Sequence, residues 1–259
     1  MTVAIIGGSG FGALDSFGIS QNLIVDTPYG KPSADIVEGK LFDHEPNILF
    51  LARHGVKHTI QPHKINFRAN LYALKELGVK KIIALGAVGG IDMPCEPGSL
   101  IVPDQILDYT HSREATFFDQ SGEVVHAEFT EPYSAELRTI FIEIAKRLSI
   151  KIVNRGVCAV TQGPRLETAA EIRRLQRDGA TIVGMTAMPE AILARELGIA
   201  YMSICFSVNW AAGIQTGLIE HDDIHAAYSV AARKLYLILK ECLADIEKTT
   251  VNVPDVIRM

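Results

Sequence analysis

The stretch TQGPRLETAAEIRRLQRDGATIVGMTAMPEAILAREL (161–197), closed by Gly198, decides the fold. It reads as strand end, tight turn, helix, strand, turn, helix. The first turn ends Gly163-Pro164-Arg165, and the helix behind it is expected to open on Leu166-Glu167-Thr168. An apolar strand expected over Thr181–Gly184 leads to Met185-Thr186-Ala187-Met188, with a second helix expected from Pro189-Glu190. Two helix starts thus follow two strand ends, with polar groups gathered around them. In open α/β sheets ligands bind outside the carboxyl ends of the strands, so a site is expected here.

On either side of this stretch the same alternation continues. Short apolar runs predict strands over Val3–Gly7, Asn47–Ala52, Lys81–Leu85, Ser99–Val102, Ile150–Val160 and Ala200–Val208, with an alternating piece over Ala34–Phe42. Helical spacing predicts helices over His63–Leu77 (capped by Gly78), Ser134–Leu148 and His221–Ile246. Asp108–Tyr133 reads as one long loop, and a loop of that length in a compact domain is more often functional than idle. No internal repeat or linker interrupts the pattern. The expectation is one α/β domain over 1–259 around a mainly parallel sheet, with 248–259 as a surface tail.

Composition narrows the function classes. The 259 residues are 48% hydrophobic and 21% charged, which suits a globular chain with ample core. The net charge of −5 speaks against nucleic-acid binding but leaves room for a small anion held by backbone N–H groups and one arginine. Cys95, Cys158, Cys205 and Cys242 lie far apart without metal-type spacing, so no metal site is expected; Cys158 and Cys205 read as small buried hydrophobes in a reduced, cytoplasmic setting. No apolar run approaches a membrane span, and the N-terminus does not resemble a signal segment.

Gly8-Ser9-Gly10-Phe11-Gly12-Ala13 matches the GxGxxA dinucleotide fingerprint, with Asp26 in place of the ribose-binding acid. Against that reading, Leu14–Gln21 contains Gly18 and Ser20 and lacks a helical period. The simpler reading is a tight glycine turn whose N–H groups and Ser9 hydroxyl face an anion. Arg53-His54 at the end of a strand reads either as an anion site or as a solvent-facing pair.

Taken in order, IIGGSG (5–10), LARHG (51–55), GAVGG (86–90), GPRLET (163–168), GMTAMPE (184–190) and SVNWAAG (207–213) resemble the trimeric purine nucleoside phosphorylase family. The likeness runs from Val3 to about Leu243 and is greatest to the branch of methylthioadenosine and methylthioinosine phosphorylases. It implies a twisted mixed sheet, partly closed into a barrel and flanked by helices, in a homotrimer. The implied reaction is phosphorolysis of a purine nucleoside, with inorganic phosphate as co-substrate and no cofactor. By the same resemblance Ser9, Arg53, His54 and the Ala87 N–H bind phosphate, and Thr186 bridges phosphate and ribose. Met185 lies against the sugar, with Gly86 and Leu166 also lining the site. Arg165 stands in the right turn, and whether it reaches a ligand or ties down the loop is left open.

The base follows from two positions. Adenine-selective members carry aspartates where this chain has Asn209 and Ala211, and Leu-Glu-Thr (166–168) resembles the Phe-Glu-Thr of 6-oxopurine enzymes. Glu167 can accept from N1–H of a 6-oxopurine but faces a bare lone pair in adenine. Asn209 can accept from N7–H or donate to O6, and a site that leaves such groups unpaired rejects the analogue. With Glu167 and His54, Asn209 is therefore assigned to the catalytic set. For the 5′ end, His221 resembles a reader of a free hydroxyl, and His126 resembles a histidine reaching in from a neighbouring subunit, so inosine or guanosine and methylthioinosine remain open. The alternatives are a methylthioadenosine phosphorylase, a hydrolytic nucleosidase and a dinucleotide-binding module.

Overall fold

The computed structural model describes residues 3–8, 17–42, 47–119, 122–215 and 221–259, with the backbone alone for 221–225. In chain order the strands and helices are β1 (Val3–Gly7), β2 (Gly18–Leu23), β3 (Ile36–Lys40), β4 (Ile48–Ala52), α1 (Phe67–Glu76), β5 (Lys81–Gly90), β6 (Leu100–Ile101), β7 (Gln105–Asp108), β8 (Val125–His126), α2 (Ala135–Arg147), β9 (Val157–Val160), α3 (Ala169–Arg177), β10 (Ile182–Gly184), α4 (Ala187–Glu196), β11 (Ala200–Trp210), α5 (His221–Lys248) and β12 (Ile257–Arg258). Ten of the strands form one sheet in the order β2-β3-β4-β1-β5-β10-β9-β7, with β11 joined to β5 and β6 to β11.

The sheet is mixed. β1 runs parallel to β4 and β5, β11 parallel to β5, and β9 parallel to both β7 and β10. β10 meets the far end of β5 antiparallel, and the β2-β3-β4 edge is antiparallel throughout. Strand β5 is the branch point: its first half pairs with β1, its second half with β10, and β11 follows it from Lys81 to Gly90. The ends of β5, β10 and β11 are thereby gathered at one place, and the described strands form no closed ring.

Both faces of the sheet are covered, which is why its central strands are continuous apolar runs. With a side-chain period of two, Val3, Ile5, Ile83 and Leu85 meet Leu137 and Phe141 of α2 and Leu235 and Leu239 of α5. Ala4, Ile6, Ile82 and Ala84 meet Leu71 and Leu74 of α1 and Leu193 and Ala194 of α4. Each such large side chain, taken fully from water, contributes about 1.5–3 kcal/mol.

Local chemistry sets the boundaries. The Asn66 side chain caps α1 by accepting from Ala69 N at 3.1 Å, so the predicted start at His63 becomes a separate 3-10 turn, Pro62–Lys64. Thr168 caps α3 in a reciprocal box: its Oγ1 accepts from Glu171 N at 3.2 Å, and the Glu171 carboxylate accepts from Thr168 N at 2.7 Å. Leu166 and Glu167 therefore precede the helix. In α4 the backbone leaves helical geometry at Met188 (φ −116°, ψ 136°) and resumes at Pro189.

Three strand readings need correction. Residues 150–156 are not strand; Ile150 and Ile152 owe their apolar character to packing on the core instead. Gln105–Asp108 is a strand paired to β9, and the predicted long loop contains β8. The tail is largely exposed, as expected, but it returns as β12 to pair with β8. The β-structure at Gly18–Leu23 occupies the place where the dinucleotide fingerprint requires a helix, which removes that reading.

Candidate active site

A cavity of about 440 Å³ opens where the ends of β5, β10 and β11 meet the turns after β4 and β9. Arg53, His54, Gly86, Ala87, Leu166, Glu167, Met185, Thr186, Asn209 and Ala211 all line it. Five distant segments of the chain are thus brought to one cavity. Ser9 lies outside the described residues, although Gly8 beside it lines the cavity. The His221 side chain also lies outside them. His126 is exposed on β8 and is not part of this chain's cavity wall.

Arg53 is 2% exposed, which excludes the solvent-facing reading. Its Nε and Nη2 each donate at 2.7 Å to Glu190, and Nη1 donates to Leu85 O at 2.8 Å. Of the five guanidinium N–H groups, three are engaged, leaving one on each Nη for a ligand. Glu190 is fully buried and also accepts from Tyr201 Oη at 3.0 Å. Sequence reasoning read Glu190 only as a helix-start acid; that it holds Arg53 needs the packing of α4 on the sheet.

His54 Nδ1 lies 2.8 Å from Ile60 O. A carbonyl only accepts, so Nδ1 carries the proton and Nε2 keeps the lone pair of the neutral ring. Burial lowers the His54 pKa, partly opposed by this hydrogen bond, and the neighbouring Arg53 charge lowers it further. His58 stacks on His54 with ring centroids 4.6 Å apart and lines the same cavity. Its place depends on a turn in which His58 itself takes a positive φ of 53°. The two histidines four apart in RHGVKH were the signal that could have found it.

On the opposite wall, Glu167 accepts from Thr161 Oγ1 at 2.6 Å. The helix-start acid of α3 is Glu171, not Glu167, so Glu167 is left to face the cavity. Arg165 grips Glu171 at 2.7 and 2.8 Å, tying down the loop, and does not line the cavity. Gly163 takes φ 62°, and a Cβ there would lie 2.6 Å from Met185 Sδ, so only glycine allows this approach of the two turns.

Asn209 owes its place to a bulge in β11. Ser207 pairs with Val88 and Asn209 with Gly89, so Val208 is the extra residue. An unbroken strand would point Val208 and Asn209 to opposite faces; the bulge lets both line the cavity. Asn209 Nδ2 donates to Trp210 O at 2.7 Å. Oδ1 and the second Nδ2 hydrogen are therefore left for a ligand. Thr186 stands at the N-cap of α4 without using its hydroxyl to cap the helix.

The site combines two halves. One, from β4 and β5, offers N–H donors suited to an anion and an imidazole lone pair that can accept from a protonated oxygen of that anion. The other, from the turns at 161–168 and 184–188 and the end of β11, offers a carboxylate, an amide oxygen and a thioether wall suited to a polar ring system on a sugar. Phe206 and Val208 extend the cavity with apolar surface.

The profile of the phosphorylase superfamily matches residues 2–244. A probable S-methyl-5′-thioinosine phosphorylase of Xylella fastidiosa is 48% identical over 218 residues, covering 84% of this chain and 87% of that protein. The 6-oxopurine nucleoside phosphorylase of Pyrococcus furiosus is 44% identical over 228 residues, covering 86% of this chain and 84% of that one. Among solved structures, methylthioadenosine phosphorylase from Schistosoma mansoni in complex with adenine superposes with a TM-score of 0.89 at 32% identity, covering 96% of this chain and 93% of that one.

Proposed function

This chain belongs to the phosphorylase superfamily, and we propose that its cavity carries out phosphorolysis of 6-oxopurine nucleosides, with 5′-methylthioinosine as the preferred substrate. Phosphate attacks C1′ of the sugar, the C1′–N9 bond breaks, and the products are the free purine and a ribose 1-phosphate. The transition state is an oxocarbenium ion between two anions, so the protein's work is positioning and charge stabilisation.

The observation that carries the base assignment is that Glu167 and the Asn209 amide line one cavity, with Oδ1 of Asn209 not used by the Trp210 bond. Glu167 accepts from N1–H of the 6-oxopurine. Asn209 Oδ1 accepts from N7–H as the electron pair of the broken bond passes into the ring and N7 takes up a proton. Ala211 leaves the 6-position without the carboxylate that a 6-amino group would need. For phosphate, the two remaining N–H groups of Arg53, the Thr186 hydroxyl, the Ala87 N–H and Ser9 donate, and the lone pair of His54 Nε2 accepts from the O–H of hydrogenphosphate. Met185 packs against the sugar. The apolar surface of Phe206 and Val208 suits a thiomethyl group better than a hydroxyl, in keeping with the relatives named for methylthioinosine.

The same reading includes a cytoplasmic homotrimer in which exposed His126 serves a neighbour's site. Among the described residues no helix is long and apolar enough to cross a membrane.

Purine release should be measured from methylthioinosine, inosine, guanosine and methylthioadenosine in phosphate buffer, with a phosphate-free control. Methylthioinosine should have the highest kcat/KM, and no substrate should react without phosphate. Preference for methylthioadenosine would overturn the base assignment, and preference for inosine the 5′ assignment. Release without phosphate would make the protein a hydrolase.

A further inference from the structure

We infer that Arg113, in the long segment after β7, is the positioning residue that holds the nucleoside half of the cavity in register. This rests on the proposed phosphorolysis. No sequence motif marked Arg113, and it does not line the cavity.

The guanidinium has five N–H groups, and all five are matched. Nη1 donates to Met185 O at 2.9 Å and Met188 O at 2.6 Å. Nη2 donates to Gln162 O at 2.8 Å and Thr161 O at 3.3 Å, and Nε donates to Gln162 Oε1 at 3.1 Å. One side chain therefore satisfies backbone carbonyls from both turns that build the purine and sugar wall, 161–168 and 184–188. The carbonyls of Thr161, Gln162 and Met185 follow strand ends, where the sheet no longer supplies partners, and that of Met188 lies at the kink in α4.

The lever to the substrate is short. Thr161 Oγ1 donates to Glu167, Met185 itself carries one of the carbonyls that Arg113 grips, and Thr186 follows it. The grip is itself anchored. Thr116 Oγ1 and Phe117 N each donate to Glu196 at 2.7 Å, docking the segment on α4, and Arg68 of α1 donates to Asp119 at 2.9 Å. The Arg113 guanidinium lies over the Phe67 ring, 5.6 Å from its centroid. A lysine offers three donors from one point and cannot span two turns in this way. The part of the phosphate half on β4 and β5 receives no bond from Arg113; of the proposed phosphate shell, only Thr186 stands on a turn that Arg113 grips.

The asymmetry gives the test. In full-length Arg113→Lys and Arg113→Ala, the nucleoside KM should rise roughly tenfold or more, as expected when reacting groups are displaced by about 1 Å. The phosphate KM should rise less, staying within about threefold, because only Thr186 of its shell stands on a clamped turn, while Arg53, His54 and Ala87 do not. Millimolar guanidinium should restore part of the loss in Arg113→Ala. Trp210, the chain's single tryptophan, stands beside Asn209, so quenching of its fluorescence by hypoxanthine should weaken in both variants whether or not turnover is assayed. Both KM values rising together, with a lowered Tm and no guanidinium rescue, would reduce Arg113 to general scaffolding. An unchanged nucleoside KM in Arg113→Lys would overturn the inference outright. If the wild type cleaves no nucleoside, the proposed reaction fails, while the Trp210 titration still decides the clamp.

Discussion

Arg53 and Glu190, 137 positions apart, are joined by two parallel hydrogen bonds of 2.7 Å inside the protein. The pair ties the end of β4 to α4 and sets the direction in which the guanidinium meets the cavity. It also means that the cavity's arginine is already neutralised before any anion arrives. A buried pair of this kind adds little net stability when formed, because desolvation offsets the attraction, but losing one partner strands a charge.

Glu190→Gln should therefore destabilise the protein by about 3–5 kcal/mol, read from its urea midpoint. The same variant leaves Arg53 uncompensated beside the anion site, so phosphate should raise its Tm by more than it raises that of the wild type. Equal phosphate shifts in both proteins would mean that Arg53 does not face the anion.

Asn209→Asp should lower kcat/KM for 6-oxopurine nucleosides by roughly 10–100-fold, the cost of replacing one well-placed hydrogen bond in a buried site. The ratio of methylthioadenosine to methylthioinosine cleavage should rise, because a carboxylate there suits a 6-aminopurine. A ratio that stays the same would remove Asn209 from base selection. Competition between the two substrates in one tube measures the ratio directly.

His54 has a pH signature. Burial holds its folded pKa below the ordinary 6.5, so between those two values the unfolded chain binds more protons than the folded one. Stability contributed by the neutral ring is present above pH 6.5 and declines as pH falls through that value toward the folded pKa. The fall in Tm between pH 7.5 and 5 should be shallower in His54→Asn, whose amide can still donate to Ile60 O. Parallel curves for the two proteins would show that His54 does not titrate as described.

Much of the scaffold was legible in the chain because burial on both faces leaves uninterrupted apolar runs, as at Val3–Gly7 and Ile48–Ala52. The same signal misled at Ile150–Val160, where Ile150 and Ile152 are partly buried against the core without belonging to a strand. Most of the cavity wall was legible too, since glycine turns and polar residues at strand ends announce themselves. His58, Glu190 and Arg113 were not. Each acts through a partner distant in sequence or through a turn whose shape no local pattern encodes.

By itself, then, the sequence determined a sheet of buried strands, the turns that end them, and the residue types Arg53, His54, Glu167 and Asn209 at those ends. Periodicity, caps and glycine are local physics and leave local marks. Only the tertiary structure decided which atoms of those residues face the cavity. Glu190 takes two N–H groups of the Arg53 fork, Trp210 O takes one hydrogen of the Asn209 amide, and Arg113 joins two turns that neither strand nor helix would hold together. The outcomes for Arg53 and Arg113 depend on hydrogen-bond partners 32 to 137 positions away, and the place of Asn209 on a bulge set by pairing with β5; such partners exist only once the chain has packed.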